Sequence, residues 1–247
     1  MCRGGAPALR ETNQGHWKTW RDTMRKAMAI GAVLGLAGAA NADVLISEIL
    51  GSTSGSDWEY VEIVNTGNSA VDITGWTLEL WDSDAASIGG ADGASPYVFG
   101  AAVLNPGDVY VIGNGLAQAG YSNPMFSFNQ TWGDNSVENS SYTAILVATG
   151  DVIMDSVFVN DGGDGDFANR AGAAITANLT AGPDGTFLPA GFARTDTLGG
   201  YSILFFDTTL LADGSIQGGT PGINQIPTPG AIALLGLGGL VATRRRR

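Results

Sequence analysis

The sequence predicts an all-β protein built as a β-sandwich, and three observations carry that prediction. Glycine accounts for 37 of 247 residues and charged residues for only 15%, against averages of ~7% and ~25%. Glycine at that level serves turns that need φ > 0. Short apolar segments of period two recur along the chain with turn chemistry between them. Between Asp43 and the C-terminal tail no segment shows a capped helical period.

The segments follow in order. Val44–Leu50 (VLISEIL) is apolar with one acid. Residues 58–65 (WEYVEIVN) alternate, so Tyr60, Glu62 and Val64 share one face and Glu59, Val61 and Ile63 the other. Strands are expected at 70–73, 76–81, 97–99, 109–112, 142–148, 152–159 and 201–206. Asn65-Thr66-Gly67, Thr74-Gly75, Asn105-Pro106-Gly107-Asp108, Gly113-Asn114-Gly115 and Thr149-Gly150-Asp151 punctuate them. Residues 160–200 are rich in Gly, Ala, Asp and Thr, and read as an insertion within the same domain. The domain spans 43–225, flanked by an N-terminal signal helix within 1–42 and a short C-terminal hydrophobic helix within 226–247. At this size it buries about 70% of its extended-chain surface and needs no disulfide.

Charge is divided sharply. The net charge is −12. Of the 24 acids all but Glu11 and Asp22 lie in the body, whereas of the 12 Lys and Arg only Arg170 and Arg194 do. His16 and Cys2, the one histidine and the one cysteine, lie outside it. A histidine base, a thiol nucleophile, a Schiff-base lysine and a Cys/His zinc site are therefore excluded for the body. Nucleic acid is excluded as a partner on the same ground, because phosphate binding draws on Lys and Arg. Arg170 and Arg194 are expected in structural ion pairs.

The two ends read as addresses. From Met24, two cations precede an apolar run that closes on Ala40-Asn41-Ala42 with Asp43 next. This is the layout of an export signal, with small residues Ala40 and Ala42 setting the signal-peptidase cut. Met24 is the preferred true start, the other reading of residues 1–23 being an extended n-region. At the far end, Pro227-Thr228-Pro229 precedes an apolar run and then Arg244, Arg245, Arg246 and Arg247. As a helix that run reaches ~21 Å, short of the ~30 Å hydrocarbon core. The arginines would remain cytoplasmic.

These last residues resemble the PEP-CTERM sorting signal, with Thr228 where that family usually has Glu. The resemblance implies recognition by an exosortase protease, transient membrane association and removal of the tail. It also implies delivery to the envelope, cell surface or exopolysaccharide matrix of a Gram-negative bacterium.

The body resembles the lamin-tail domain family in Ile46-Ser47-Glu48, in Glu59-Tyr60-Val61-Glu62-Ile63-Val64-Asn65 and in Gly75-Trp76-Thr77-Leu78. Leu104-Asn105-Pro106-Gly107-Asp108 and the closing Thr220-Pro221-Gly222-Ile223-Asn224 fit the same pattern. The resemblance implies an immunoglobulin-like β-sandwich.

Three features invite chemistry. Glu48, Glu59 and Glu62 could form a carboxylate site, but read better as hydrogen-bond acceptors that define the fold. Asp161, Asp164 and Asp166, spaced by glycines, could wrap Ca²⁺. Trp81, Trp132 and Tyr121 could stack on sugars. The reading that results is an exported, non-enzymatic envelope or matrix protein whose partners are exopolysaccharide or matrix proteins. A calcium-assisted polysaccharide-binding module and a carboxylate- or metal-dependent hydrolase are the alternatives.

Overall fold

The structure is a computed structural model and describes residues 44–51, 59–93, 95–115, 127–133, 135–183, 189–205 and 219–227. Strands are numbered in chain order. β1 (Val44–Leu50), β2 (Tyr60–Asn65), β7 (Val109–Asn114), β8 (Gln130–Trp132), β14 (Pro189–Arg194) and β15 (Tyr201–Phe205) form one sheet in the order β15-β14-β1-β2-β7-β8. β4 (Thr77–Asp82), β5 (Tyr97–Val98), β9 (Tyr142–Ala148), β10 (Val152–Val159) and β13 (Leu179–Ala181) form a second in the order β13-β10-β9-β4-β5. Two small ribbons pair β3 (Val71–Asp72) with β6 (Val103–Leu104) and β11 (Asn169–Arg170) with β12 (Ala173–Ala174). One core takes Ile46, Ile49, Val61, Ile63 and Phe192 from the first sheet and Leu78, Leu80, Leu146, Val157 and Val159 from the second. That shared core makes the molecule a sandwich, as the sequence pattern predicts.

A β-bulge sets the faces of β1. Ile46 pairs with Ile63 and Glu48 with Glu62, so Ser47 is the extra residue. The bulge lets Ile46 and Ile49, three apart, both enter the core, while Glu48 leaves on the outer face beside Glu62. That outer face is not solvated: Leu50, Tyr60, Val64, Val111 and Leu204 are buried on it.

All nine expected strands are present, within a residue or two at their ends for most. β6, β8, β11, β12, β13 and β14 are additional. The stretch 160–200, expected as an insertion, supplies β13 to the edge of the second sheet and β14 between β15 and β1. β14 (PAGFAR) carries one large apolar side chain, Phe192, and so lacks an alternating signature. Its Gly191 has no room for a side chain, because a Cβ would stand 1.8 Å from the Ile49 carbonyl oxygen. The expected flanking helices lie outside the described residues, and no helix among those described is long and apolar enough to cross a membrane.

The sheets are riveted through the core. Arg194, 3% exposed, points in from β14, and Asp155, 0% exposed, points in from β10. Nη2 of Arg194 donates to both carboxylate oxygens at 2.9 and 3.2 Å. The pairing of β1 with β14 stops at Glu48, so the polar groups of Ile46 find partners here instead. Its N–H donates to Asp155 (2.9 Å), and its carbonyl accepts from Arg194 Nε (2.8 Å). Asn178 adds a donor to Asp155 at 3.2 Å. Burial pushes the Asp155 carboxyl pKa up, and the Arg194 charge opposes it.

The sandwich has two distinct ends. Gly51, Glu59, Asn114, Asp82 and Tyr142 meet at one. Val44, Asn65 and Gly107 meet at the other, where Asn224 also bonds.

Removing one partner of the rivet strands the other without water or counter-charge. Arg194→Leu is expected to cost about 3–5 kcal/mol, read as a lowered urea midpoint with unchanged denaturant slope.

Candidate functional site

The three motif glutamates are all buried, Glu48 at 2%, Glu59 at 0% and Glu62 at 1% exposed. Each accepts hydrogen bonds from its own chain. Glu59, just before β2, takes the backbone N–H groups of Ser136 (2.8 Å) and Val137 (3.0 Å), which fixes the loop leading to β9. Glu62 takes the Ser47 hydroxyl (2.7 Å) and the Gly222 N–H (2.7 Å). Glu48 takes the Tyr60 hydroxyl and the Thr220 N–H (2.8 Å). The bulge at Ser47 therefore builds a two-carboxylate cradle on the outer face, and the segment 220–226 lies in it as a strap. Pro221 and Ile226 of the strap are buried, and Asn224 ties it to the Gly107 carbonyl at 3.3 Å.

Burial pushes Glu48 up to about 7, opposed by the bonds from Tyr60 and Thr220. Burial and then the Glu48 charge push Glu62 up to about 8, opposed by Ser47 and Gly222.

The two cations of the body are both engaged. Arg194 is in the rivet. Arg170 meets Glu79 through Nε and Nη2 at 2.7 and 2.6 Å, with Asp151 at 2.5 Å. Neither is left to hold an anionic ligand. A groove of about 630 Å³ beside the strap is lined by Val103, Leu104, Tyr110, Asn129 and Asn224. Its polar side chains are already bonded within the fold: Asn129 accepts from the Val111 N–H, Asn224 donates to Gly107 and Tyr110 donates to Gln130.

At the other end, the predicted calcium loop comes together only in part. Asp161 and Asp166 converge on the Ser141 hydroxyl at 3.0 and 2.7 Å. Asp166 also caps the Ala85 N–H, and Asp161 the Gly163 N–H. Asp164 is exposed and joins no carboxylate group of three among the described residues. A different trio converges nearby: oxygen atoms of Asp82, Asp92 and Glu138 all lie within 4.8 Å of one another. Sequence reasoning missed it because the three residues come from the end of β4, the loop after it and the loop before β9. No local spacing links them.

The Lamin Tail Domain family matches residues 37–161, half of the chain. The protein is a lamin-tail domain protein. The match covers β1 through β10 and stops before β14, so the lamin-tail sheet of this protein is completed by strands beyond the matched region. No match to the chain is found among curated proteins.

Of the other predicted residues, Trp132 is core (7% exposed) and packs edge-on against Tyr97 with ring centroids 5.6 Å apart. Trp81 is half-buried and donates to Glu79. Tyr121 lies outside the described residues, as do Ala40, Ala42, Asp43, Thr228, Pro229 and Arg244 to Arg247. Pro227 is exposed at the end of the strap.

The cradle makes stability pH-dependent. Both carboxyls bind protons more tightly folded than at their ordinary 4.5. Their stabilisation is thus full below that value and is lost as pH rises through 7 and 8. Thermal melts from about pH 5 to pH 9 are expected to show a falling Tm, and Glu62→Gln to flatten the slope.

Proposed function

We propose that this lamin-tail protein is exported and acts, without catalysis, as a structural or interaction module of the envelope or extracellular matrix. One observation carries the reading: the family-defining acids serve the fold. Glu48, Glu59 and Glu62 hold the chain's own N–H and hydroxyl groups. The resemblances at the two ends supply the address. An export signal ends at Ala42 and an exosortase-type tail spans residues 226–247, with signal peptidase and exosortase as processing partners. The partner surface is polysaccharide or protein rather than nucleic acid, since both body cations are in ion pairs.

A calcium-assisted polysaccharide-binding role is the second reading, favoured by the acidic loops gathered at one end of the sandwich. A glycan array run with and without EDTA separates it from the first, because only this reading expects binding that EDTA abolishes.

Mass analysis of protein from a host with a matching exosortase is expected to give a mature chain that begins at Asp43 and lacks Arg244 to Arg247. A mature chain containing His16, or one with the intact tail in the inner membrane, would overturn the sorting reading.

A further inference from the structure

We propose that Asp82, Asp92 and Glu138 form a divalent-cation site, with Ca²⁺ as the ion that fits it. Three elements bring the carboxylates together. Asp82 is the last residue of β4 and follows Leu78 and Leu80 on the core-facing side. Asp92 is drawn back toward β4 by its N–H, which donates to the Leu80 carbonyl at 3.0 Å. Glu138 follows Ser136 and Val137, whose N–H groups Glu59 pins. Gly93 presses against Ser136 so closely that a Cβ there would stand 2.3 Å from the Ser136 Cα. That contact holds the Asp92 loop against the Glu138 loop. Carboxylate oxygens within 4.8 Å of one another suit metal–oxygen bonds of ~2.3–2.6 Å.

Two further observations call for a ligand. Asp92 Oδ2 is buried and has no hydrogen-bond partner among the described residues. Tyr142, 1% exposed, is the direct cross-strand partner of Asp82 and leaves the same face of the sheet, and its hydroxyl also has no partner among those residues. Burial, then the Glu59 and Asp92 charges, raise the phenol pKa. Asp82 accepts the Asp84 N–H and Glu138 the Asn139 N–H, each at 2.8 Å, but neither bond brings a positive charge to three carboxylates that face one another, so the trio needs a counter-charge. A hard cation supplies it, and a water on that cation gives the Tyr142 hydroxyl its partner. Oxygen-only ligands favour Ca²⁺ or Mg²⁺ over softer metals, and loop-borne ligands favour Ca²⁺ over the strict octahedron of Mg²⁺.

The test uses the full chain with Ca²⁺ alone, followed by calorimetry and by Tb³⁺ luminescence sensitised through the protein's aromatic rings. A dissociation constant of ~10⁻⁴–10⁻³ M is expected, the range of extracellular calcium modules. Asp92→Asn and Glu138→Gln, both at partly exposed residues, are each expected to weaken Ca²⁺ at least tenfold while the protein stays folded by circular dichroism. Ca²⁺ should also raise Tm more than Mg²⁺ or NaCl at equal ionic strength. The site is overturned if both variants bind as the parent does, or if Asp161→Asn with Asp166→Asn abolishes binding instead. It is equally overturned if Asp92→Asn raises Tm without added ion and no Ca²⁺ response exists in the parent. That last result would mean that the trio is neutralised by protons.

Discussion

The ion pair between Asp155 and Arg194 is the constraint on which the rest of the sandwich depends. Across most of their shared core the two sheets meet through apolar side chains, which are non-directional and tolerate sliding. This pair fixes a register. It binds β10 of one sheet to β14 of the other and takes up the N–H and carbonyl of Ile46, where the pairing of β1 with β14 has ended. The same bulge that frees Ile46 for the rivet turns Glu48 outward for the strap. Inner and outer attachments of β1 thus come from one extra residue, Ser47. In a body with two cations, assigning one of them wholly to this junction indicates how little of the surface is left for anion recognition.

Much of the architecture was legible in the chain. Period-two segments such as 58–65 and 142–148 carry enough apolar residues to announce themselves, and turns such as Asn105-Pro106-Gly107-Asp108 mark where they stop. β14 was not legible. Its place beside the bulged β1 demands a glycine, and its polar end is an arginine whose partner lies 39 residues away. Both features look like a loop until the partner strand is present. Arg194 itself was visible as a structural arginine, because a nearly cation-free body leaves few other uses for it.

The candidate sites divide in the same way. The glutamate motifs could be read as fold-defining because they sit in strands whose neighbours alternate. What the sequence could not give is the distant donors, since Ser136 and Val137 lie 77 and 78 residues from Glu59, and Gly222 and Thr220 lie 160 and 172 residues from Glu62 and Glu48. The glycine-spaced aspartates attracted attention through local spacing, yet two of them are occupied with turn N–H groups and Ser141. The trio of Asp82, Asp92 and Glu138 has no local signature. Its convergence depends on Gly93 meeting Ser136, a contact between loops that are far apart in sequence.

The strap has a mechanical consequence. It runs from the cradle at Glu48 and Glu62 to Gly107 and ends at Pro227, at the same end of the sandwich as Val44. A pull applied at Pro227 therefore reaches Glu48 and Glu62 before it reaches β15. After the Asn224–Gly107 bond, the load falls on bonds between strap N–H groups and carboxylates anchored in the central strands β1 and β2. The outermost strand, with a single neighbour, is shielded from it. A domain held by its last residues can thus bear force through its middle.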